Sequence, residues 1–80
     1  MSARPVKHSL TLRGHRTSVS LEAEFWQAFR EIATREGVAF NELAARIDAE
    51  RGMEAGLASA IRVFVLRHYR ETDAAEAPRL

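Results

Sequence analysis

The sequence predicts a mainly α protein in which one N-terminal strand pairs with the same strand of a dimer mate and three helices follow. Residues 16–21 alternate between polar and apolar side chains, which is typical of a strand with one buried face. Three later segments place apolar residues at helical spacing. With 80 residues and no cysteine, the chain can form only a small core without disulfides, so association with a second copy is expected.

The first 15 residues are predicted to form a basic arm. Residues 1–7 contain Pro5 and isolated charges without any period, and residues 8–13 alternate weakly. The alternation is also compatible with a hairpin partner for residues 16–21, turned at Gly14-His15. We favour the extended arm and keep the hairpin as the alternative.

The strand at residues 16–21 has two different faces. The side chains predicted to point inward are those of Thr17, Val19 and Leu21. The side chains predicted to point outward are those of Arg16, Ser18 and Ser20. A lone strand leaves its N–H and C=O groups unmatched, so we expect antiparallel pairing with a second copy about a two-fold axis.

The helices are predicted at residues 22–36, 40–50 and 55–69. Phe25, Phe29 and Ile32 form the apolar face of the first helix, and Gly37 supplies its left-handed C-terminal residue. The segment after Arg70 is acidic and aperiodic, which favours a flexible tail. The predicted organisation is therefore an arm at residues 1–15, a domain at 16–70 and a tail at 71–80.

Basic residues are concentrated at the N-terminal end. Residues 1–20 carry four basic and no acidic side chains, whereas residues 21–80 carry a net charge of −3. Such a segment favours a polyanionic partner, and a solvated tail is the alternative. Lys7 and Arg13 are the candidate contacts from the arm.

Residues 16–50 together resemble a known family. Their sequence runs from RTSVSL through an amphipathic helix to EGVAFNEL and a short second helix. This order resembles the ribbon-helix-helix (Arc/MetJ-like) family of DNA-binding regulators. The third helix, which ends in RVFVLRHYR, is similar to that of a bacterial subfamily of such domains.

The resemblance implies a homodimeric transcriptional regulator that places its ribbon in the major groove of duplex DNA. It implies base contacts from Arg16, Ser18 and Ser20, with Arg16 able to bind guanine in a bidentate manner. It also implies a phosphate contact at the start of the second helix, formed by Ala39, Phe40 and Asn41. Family members often carry Ser or Thr where this chain has Ala39, so a hydroxyl contact is missing.

Other functions are less well supported by the sequence. The three histidines match no metal-ligand spacing, and the chain has no Gly-rich phosphate loop, nucleophile elbow or cysteine, so we predict no catalytic residue, metal or cofactor. No apolar run approaches the roughly 18 residues of a membrane span and no signal-peptide stretch is present, so we expect no membrane partner and a cytoplasmic location.

The expected partners are duplex DNA and a second copy, with a dimer of dimers on DNA and a protein partner as further candidates. The alternative function is a dimeric protein-interaction module, similar in role to an antitoxin or adaptor, with the same fold and little DNA affinity. The low total charge and the two serines on the outward face favour this alternative.

Overall fold

The computed structural model describes residues 4–51 and 56–76, which form a β-hairpin followed by three α-helices. The strands are β1 (Val6–Leu12) and β2 (His15–Leu21). The helices are α1 (Ala23–Glu36), α2 (Phe40–Glu50) and α3 (Leu57–Glu76). None of the helices in these ranges has the length and apolar character needed to cross a membrane.

The two strands pair with each other in antiparallel orientation within one chain. The register runs from Leu12 opposite His15 to Val6 opposite Leu21. The two-residue loop has positive φ at both positions, 52° at Arg13 and 85° at Gly14, as a type I′ turn requires. The prediction of an extended arm is therefore wrong for residues 6–12, and the hairpin alternative is correct with its turn one residue earlier.

The hairpin also corrects the predicted pairing of the strand. The favoured prediction treats residues 8–13 as an arm, so β2 would need the same strand of a second copy as its hydrogen-bonding partner. β1 provides that partner, and its residues bond the backbone groups on one edge of β2. A second copy is therefore not needed to supply this ladder, and within the described residues the opposite edge of β2 has no strand beside it.

The inner face of the hairpin packs on all three helices. Leu10, Val19 and Leu21 are buried on this face, which confirms the inward position of Val19 and Leu21. Thr17 is exposed, contrary to prediction, although Leu10 opposite it is buried. At this pair of the ladder, the inner side chain of β1 is therefore covered and the inner side chain of β2 is exposed to solvent. The helical residues buried in the same core cluster are Phe29, Ile32, Ala33, Leu43, Ala44, Ile47, Ile61 and Val65.

The first two helices have the predicted bounds, except that α1 begins one residue later, with Glu22 as its N-cap. At the end of α1, Gly37 adopts a φ of 69°, and its N–H donates to the Thr34 carbonyl at 3.1 Å. The Val38 N–H donates to the Ala33 carbonyl at 2.9 Å, which completes a Schellman motif. This motif turns the chain sharply, so that α2 begins three residues after Gly37.

The third helix is longer at its C-terminal end than the sequence indicates. It continues to Glu76, so residues 71–76 of the predicted tail are helical. The predicted start at Ala55, residues 1–3 of the arm and residues 77–80 of the tail lie outside the described residues. Ile61 and Val65 are buried, which makes α3 part of the same core as α1 and α2.

We predict that α3 is essential for stability. Ile61→Ala should lower the free energy of unfolding by about 2–5 kcal/mol, because Ile61 is fully buried in the core that the hairpin and the helices share. Glu71→Ala on the same helix is the control and should change it by less than about 0.5 kcal/mol, since Glu71 is exposed. Urea denaturation monitored by circular dichroism measures both values. Equal effects for the two variants would contradict the described packing of α3.

Candidate nucleic-acid interface

The outer face of the hairpin consists of six exposed side chains. Three lie on each strand, and they pair across the ladder as Lys7 with Ser20, Ser9 with Ser18, and Thr11 with Arg16. The structure thus places Arg16, Ser18 and Ser20 on one exposed face, as their alternation predicts. Ser9 and Thr11 were missed as candidates, although the alternation of residues 8–13 was a usable signal.

The outer face is polar, carries no acid and is moderately basic. Lys7 and Arg16 are its two cations, and the other four positions carry hydroxyl groups that can donate or accept hydrogen bonds. Arg13 lies in the turn at the tip of the hairpin. A two-stranded ribbon has the width that the major groove of B-DNA admits. The face therefore combines a suitable shape with groups that can bind base edges.

The start of α2 lies beside the free edge of β1. The Asn41 Oδ1 atom accepts a hydrogen bond from the Thr11 N–H at 3.1 Å, over a sequence separation of 30 residues. Asn41, a predicted phosphate contact, therefore holds the strand through its side-chain oxygen. Ala39 occupies the N-cap position and makes no side-chain cap bond. This helix end is thereby fixed next to the outer face.

Aromatic packing also fixes the start of α2. The Phe40 ring meets the Trp26 ring edge-on, with 5.6 Å between centroids, and Trp26 stacks on the His8 imidazole at 4.1 Å. The Arg30 guanidinium lies over the Phe40 ring, 5.6 Å from its centroid. Phe40, also a predicted phosphate contact, thus uses its side chain for packing, and only its backbone is left for an anion.

The free edge of β2 is contacted by α3 near the end of the strand. Arg62 Nε lies 2.9 Å from Glu22 Oε1, and Arg62 Nη2 donates to the Ser20 carbonyl at 3.5 Å. The pKa of the Glu22 carboxyl lies below its ordinary value, mainly because the carboxylate accepts a hydrogen bond from Arg62. Each edge of the hairpin therefore carries one contact from a helical side chain to the strand backbone.

The histidines of the described residues are dispersed. His8 stacks on Trp26, and His68 packs near Phe64 and Tyr69 with centroid distances of 6.4 and 5.5 Å. Within residues 4–51 and 56–76, no three His, Asp or Glu side chains are grouped so that they could hold a metal ion. These aromatic contacts give His8 and His68 packing roles.

Comparisons with known proteins agree with this architecture. A family model described as a ribbon-helix-helix domain matches residues 5–69. Among solved structures, the chain is similar to an uncharacterized protein from Bordetella pertussis Tohama I, with 36% sequence identity and a TM-score of 0.77. The similarity covers 96% of this chain and 65% of that chain, so this chain spans about two-thirds of the relative's length. No curated protein matches the chain.

We predict that Asn41 stabilises the hairpin through its side-chain oxygen. Asn41→Ala should lower the free energy of unfolding by about 0.5–1.5 kcal/mol, because the Thr11 N–H loses its acceptor. Asn41→Asp keeps an acceptor oxygen and should retain most of that stability. Chemical denaturation, together with amide exchange at Thr11, measures the effect. Faster exchange at Thr11 in Asn41→Asp, equal to that in Asn41→Ala, would contradict this role.

Proposed function

Since the chain belongs to the ribbon-helix-helix domain family, as its sequence predicts, we propose that it is a non-enzymatic, sequence-specific regulator of transcription that binds duplex DNA. The outer face of the hairpin is the observation that carries the proposal. It presents six exposed polar side chains and no acid on a ribbon of two strands. We propose that it acts in the bacterial cytoplasm as a homodimer.

Base recognition is assigned to the outer face. Arg16 offers a bidentate contact to guanine, whereas Ser18 and Ser20 offer hydroxyl contacts that discriminate less strongly. Ser9 and Thr11 on β1 extend the same face and join them as contacts. In this proposal the hairpin of a single chain supplies both strands of the ribbon that enters the major groove.

Phosphate binding is assigned to the surroundings of the ribbon. The backbone N–H groups of Ala39, Phe40 and Asn41 begin α2 next to Thr11, and a helix N-terminus favours an anion. Because the Asn41 oxygen is bonded to Thr11, the backbone carries this contact. Lys7 and Arg13 add positive charge at the two ends of β1, where they would follow the DNA backbone.

The proposed homodimer uses the helical side of the molecule. Pairing of β2 with a second β2 would give four strands, about 14 Å between the outer ones, which exceeds the groove width of about 12 Å. Val63 and Leu66 are 45% and 55% exposed on α3. They border a cavity of about 420 Å³ that Phe25, Ala28 and Tyr69 also line. We propose that a second copy covers this apolar face and leaves both hairpins free for DNA.

The same apolar face favours a second candidate function. A different protein would cover Val63 and Leu66 if the chain were an interaction module of the antitoxin or adaptor type. Such a module requires little DNA affinity, and two cations on the outer face are few. The two functions differ in what the hairpin does, so DNA binding decides between them.

The function is tested by selecting bound sequences from random duplex DNA and then titrating salt. For a DNA-binding regulator, the logarithm of the binding constant should fall linearly with the logarithm of the salt concentration, since phosphate contacts release counterions. Absence of selected sequences, together with binding that does not depend on salt, would favour the interaction module.

We predict that Arg16 carries much of the sequence preference. Arg16→Ala should weaken binding to the selected site by about 1–3 kcal/mol, the range of a good bidentate base contact, and leave the thermal midpoint nearly unchanged. Arg70→Ala, an exposed arginine on α3, is the control and should change neither quantity appreciably. Fluorescence anisotropy and thermal denaturation measure them. A lowered midpoint with unchanged affinity would exclude Arg16 from the interface.

We predict that the apolar face of α3 mediates dimerisation. Sedimentation equilibrium should show a dimer at micromolar concentration for the natural chain and a monomer for Leu66→Glu, because a buried unpaired carboxylate opposes association. Val6→Glu is the control, since Val6 is 50% exposed at the start of β1 and does not line this cavity. A folded monomer of the natural chain, with a concentration-independent midpoint, would contradict the homodimer.

A further inference from the structure

Arg62 connects α3 to the end of the DNA-facing strand. Its guanidinium binds the Glu22 carboxylate and the Ser20 carbonyl, and it lies 5.9 Å from the centroid of the Phe25 ring. Ser20 belongs to the outer face, and Glu22 is the residue between β2 and α1. One side chain of α3 therefore contacts the last outer-face residue, the strand–helix junction and the first turn of α1.

This ion pair differs from the other two within residues 4–51 and 56–76. Glu42 with Arg46 and Asp48 with Arg51 lie three or four residues apart around α2. Arg62 and Glu22 are 40 residues apart and join different elements. Their side chains are 31% and 22% exposed, so water screens this pair less than a fully exposed one. The pair therefore acts as a tertiary link and not as local support for a helix.

The position of Glu22 reinforces this interpretation. Glu22 is the N-cap residue of α1, but its side chain makes no cap bond and points to Arg62. Its backbone carbonyl accepts the N–H of Trp26 at 3.0 Å, which begins the helix. Leu21, between the two residues that Arg62 contacts, is fully buried. Arg62 thus holds Ser20 and Glu22, and the core holds Leu21 between them.

We propose that Arg62 is a positioning residue for DNA recognition, a role that rests on the proposed function. It does not bind DNA itself. By bonding the Ser20 carbonyl, it fixes the peptide plane at the end of β2 and so the direction of the Ser20 side chain on the outer face. By occupying the β2 edge there, it also hinders addition of a third strand at Ser20. Helix α3 thereby sets the geometry of the surface that reads the bases.

The first arm of the test uses the free protein and four variants. Arg62→Met keeps an apolar stem beside Phe25 but loses both polar contacts, and Glu22→Gln removes the charge of the partner. Arg62→Lys keeps the charge but lacks the two-pronged guanidinium. Arg67→Met changes an exposed arginine on the same helix and serves as the control. Amide exchange is measured by NMR well below the thermal midpoint, where every variant is folded.

Arg62→Met should speed exchange of the Leu21 amide about tenfold, since a charge-assisted contact at the last pair of the hairpin is lost. Exchange at Leu10, near the turn, should stay within about twofold because the core holds it. Glu22→Gln and Arg62→Lys should give intermediate increases, and Arg67→Met none. An unchanged rate at Leu21 in Arg62→Met would overturn the link between α3 and the strand.

The second arm measures DNA binding, because a merely structural role would not alter sequence preference. Because Arg62 also lines the cavity beside Val63 and Leu66, affinities are compared at concentrations where sedimentation equilibrium gives the same oligomeric state for both chains. The ratio of affinities for the selected site and for mixed-sequence duplex should then fall at least about fivefold in Arg62→Met, with binding to mixed duplex nearly unchanged. Arg67→Met should keep the ratio. Faster Leu21 exchange with an unchanged ratio would reduce Arg62 to a structural contact. If the natural chain binds no DNA, the positioning role fails with the proposed function, while the exchange data still decide whether α3 holds the strand.

Discussion

The pairing of β2 with β1 inside one chain is the constraint on which the rest of the structure depends. It satisfies one backbone edge of each strand and fixes the register by a two-residue turn. Since side chains alternate across a strand, this register places Leu10, Val19 and Leu21 toward the helices and all six polar residues of the outer face toward solvent. A shift of one residue would expose the apolar set and bury Arg16, which a core of this size could not tolerate.

The sequence determined the helical part of the fold well because the signals are local. Gly37 marks the end of α1 through its left-handed conformation, and the spacing of Phe29 and Ile32 identifies the buried face. The end of α3 was missed because residues 71–76 have no apolar period. The hairpin was not the favoured prediction because alternation indicates a strand but does not identify its partner. In addition, Arg13 is an uncommon residue at a turn position with positive φ.

The candidate site was only partly predictable for the same physical reasons. Arg16, Ser18 and Ser20 follow from a period of two, which depends on neighbours in the sequence. The contacts that hold the two strands of the hairpin do not follow from such a period, because Asn41 and Arg62 bond backbone groups 30 and 42 residues away. No spacing rule in the sequence links such pairs. A single polar residue on a predicted helix is equally compatible with a helix cap and with a solvated side chain. Only the folded chain shows that each edge of the hairpin is bonded by a helix.

A ribbon made from a single chain has no internal symmetry. Two identical strands related by a two-fold axis would present the same groups in both directions, and the DNA element beneath them would tend to be palindromic. Here one strand presents Lys7, Ser9 and Thr11, and the other presents Arg16, Ser18 and Ser20. The two directions along the ribbon are therefore chemically distinct. Under the proposed function, each hairpin would contact an asymmetric half-site, and the homodimer would repeat that half-site about its two-fold axis.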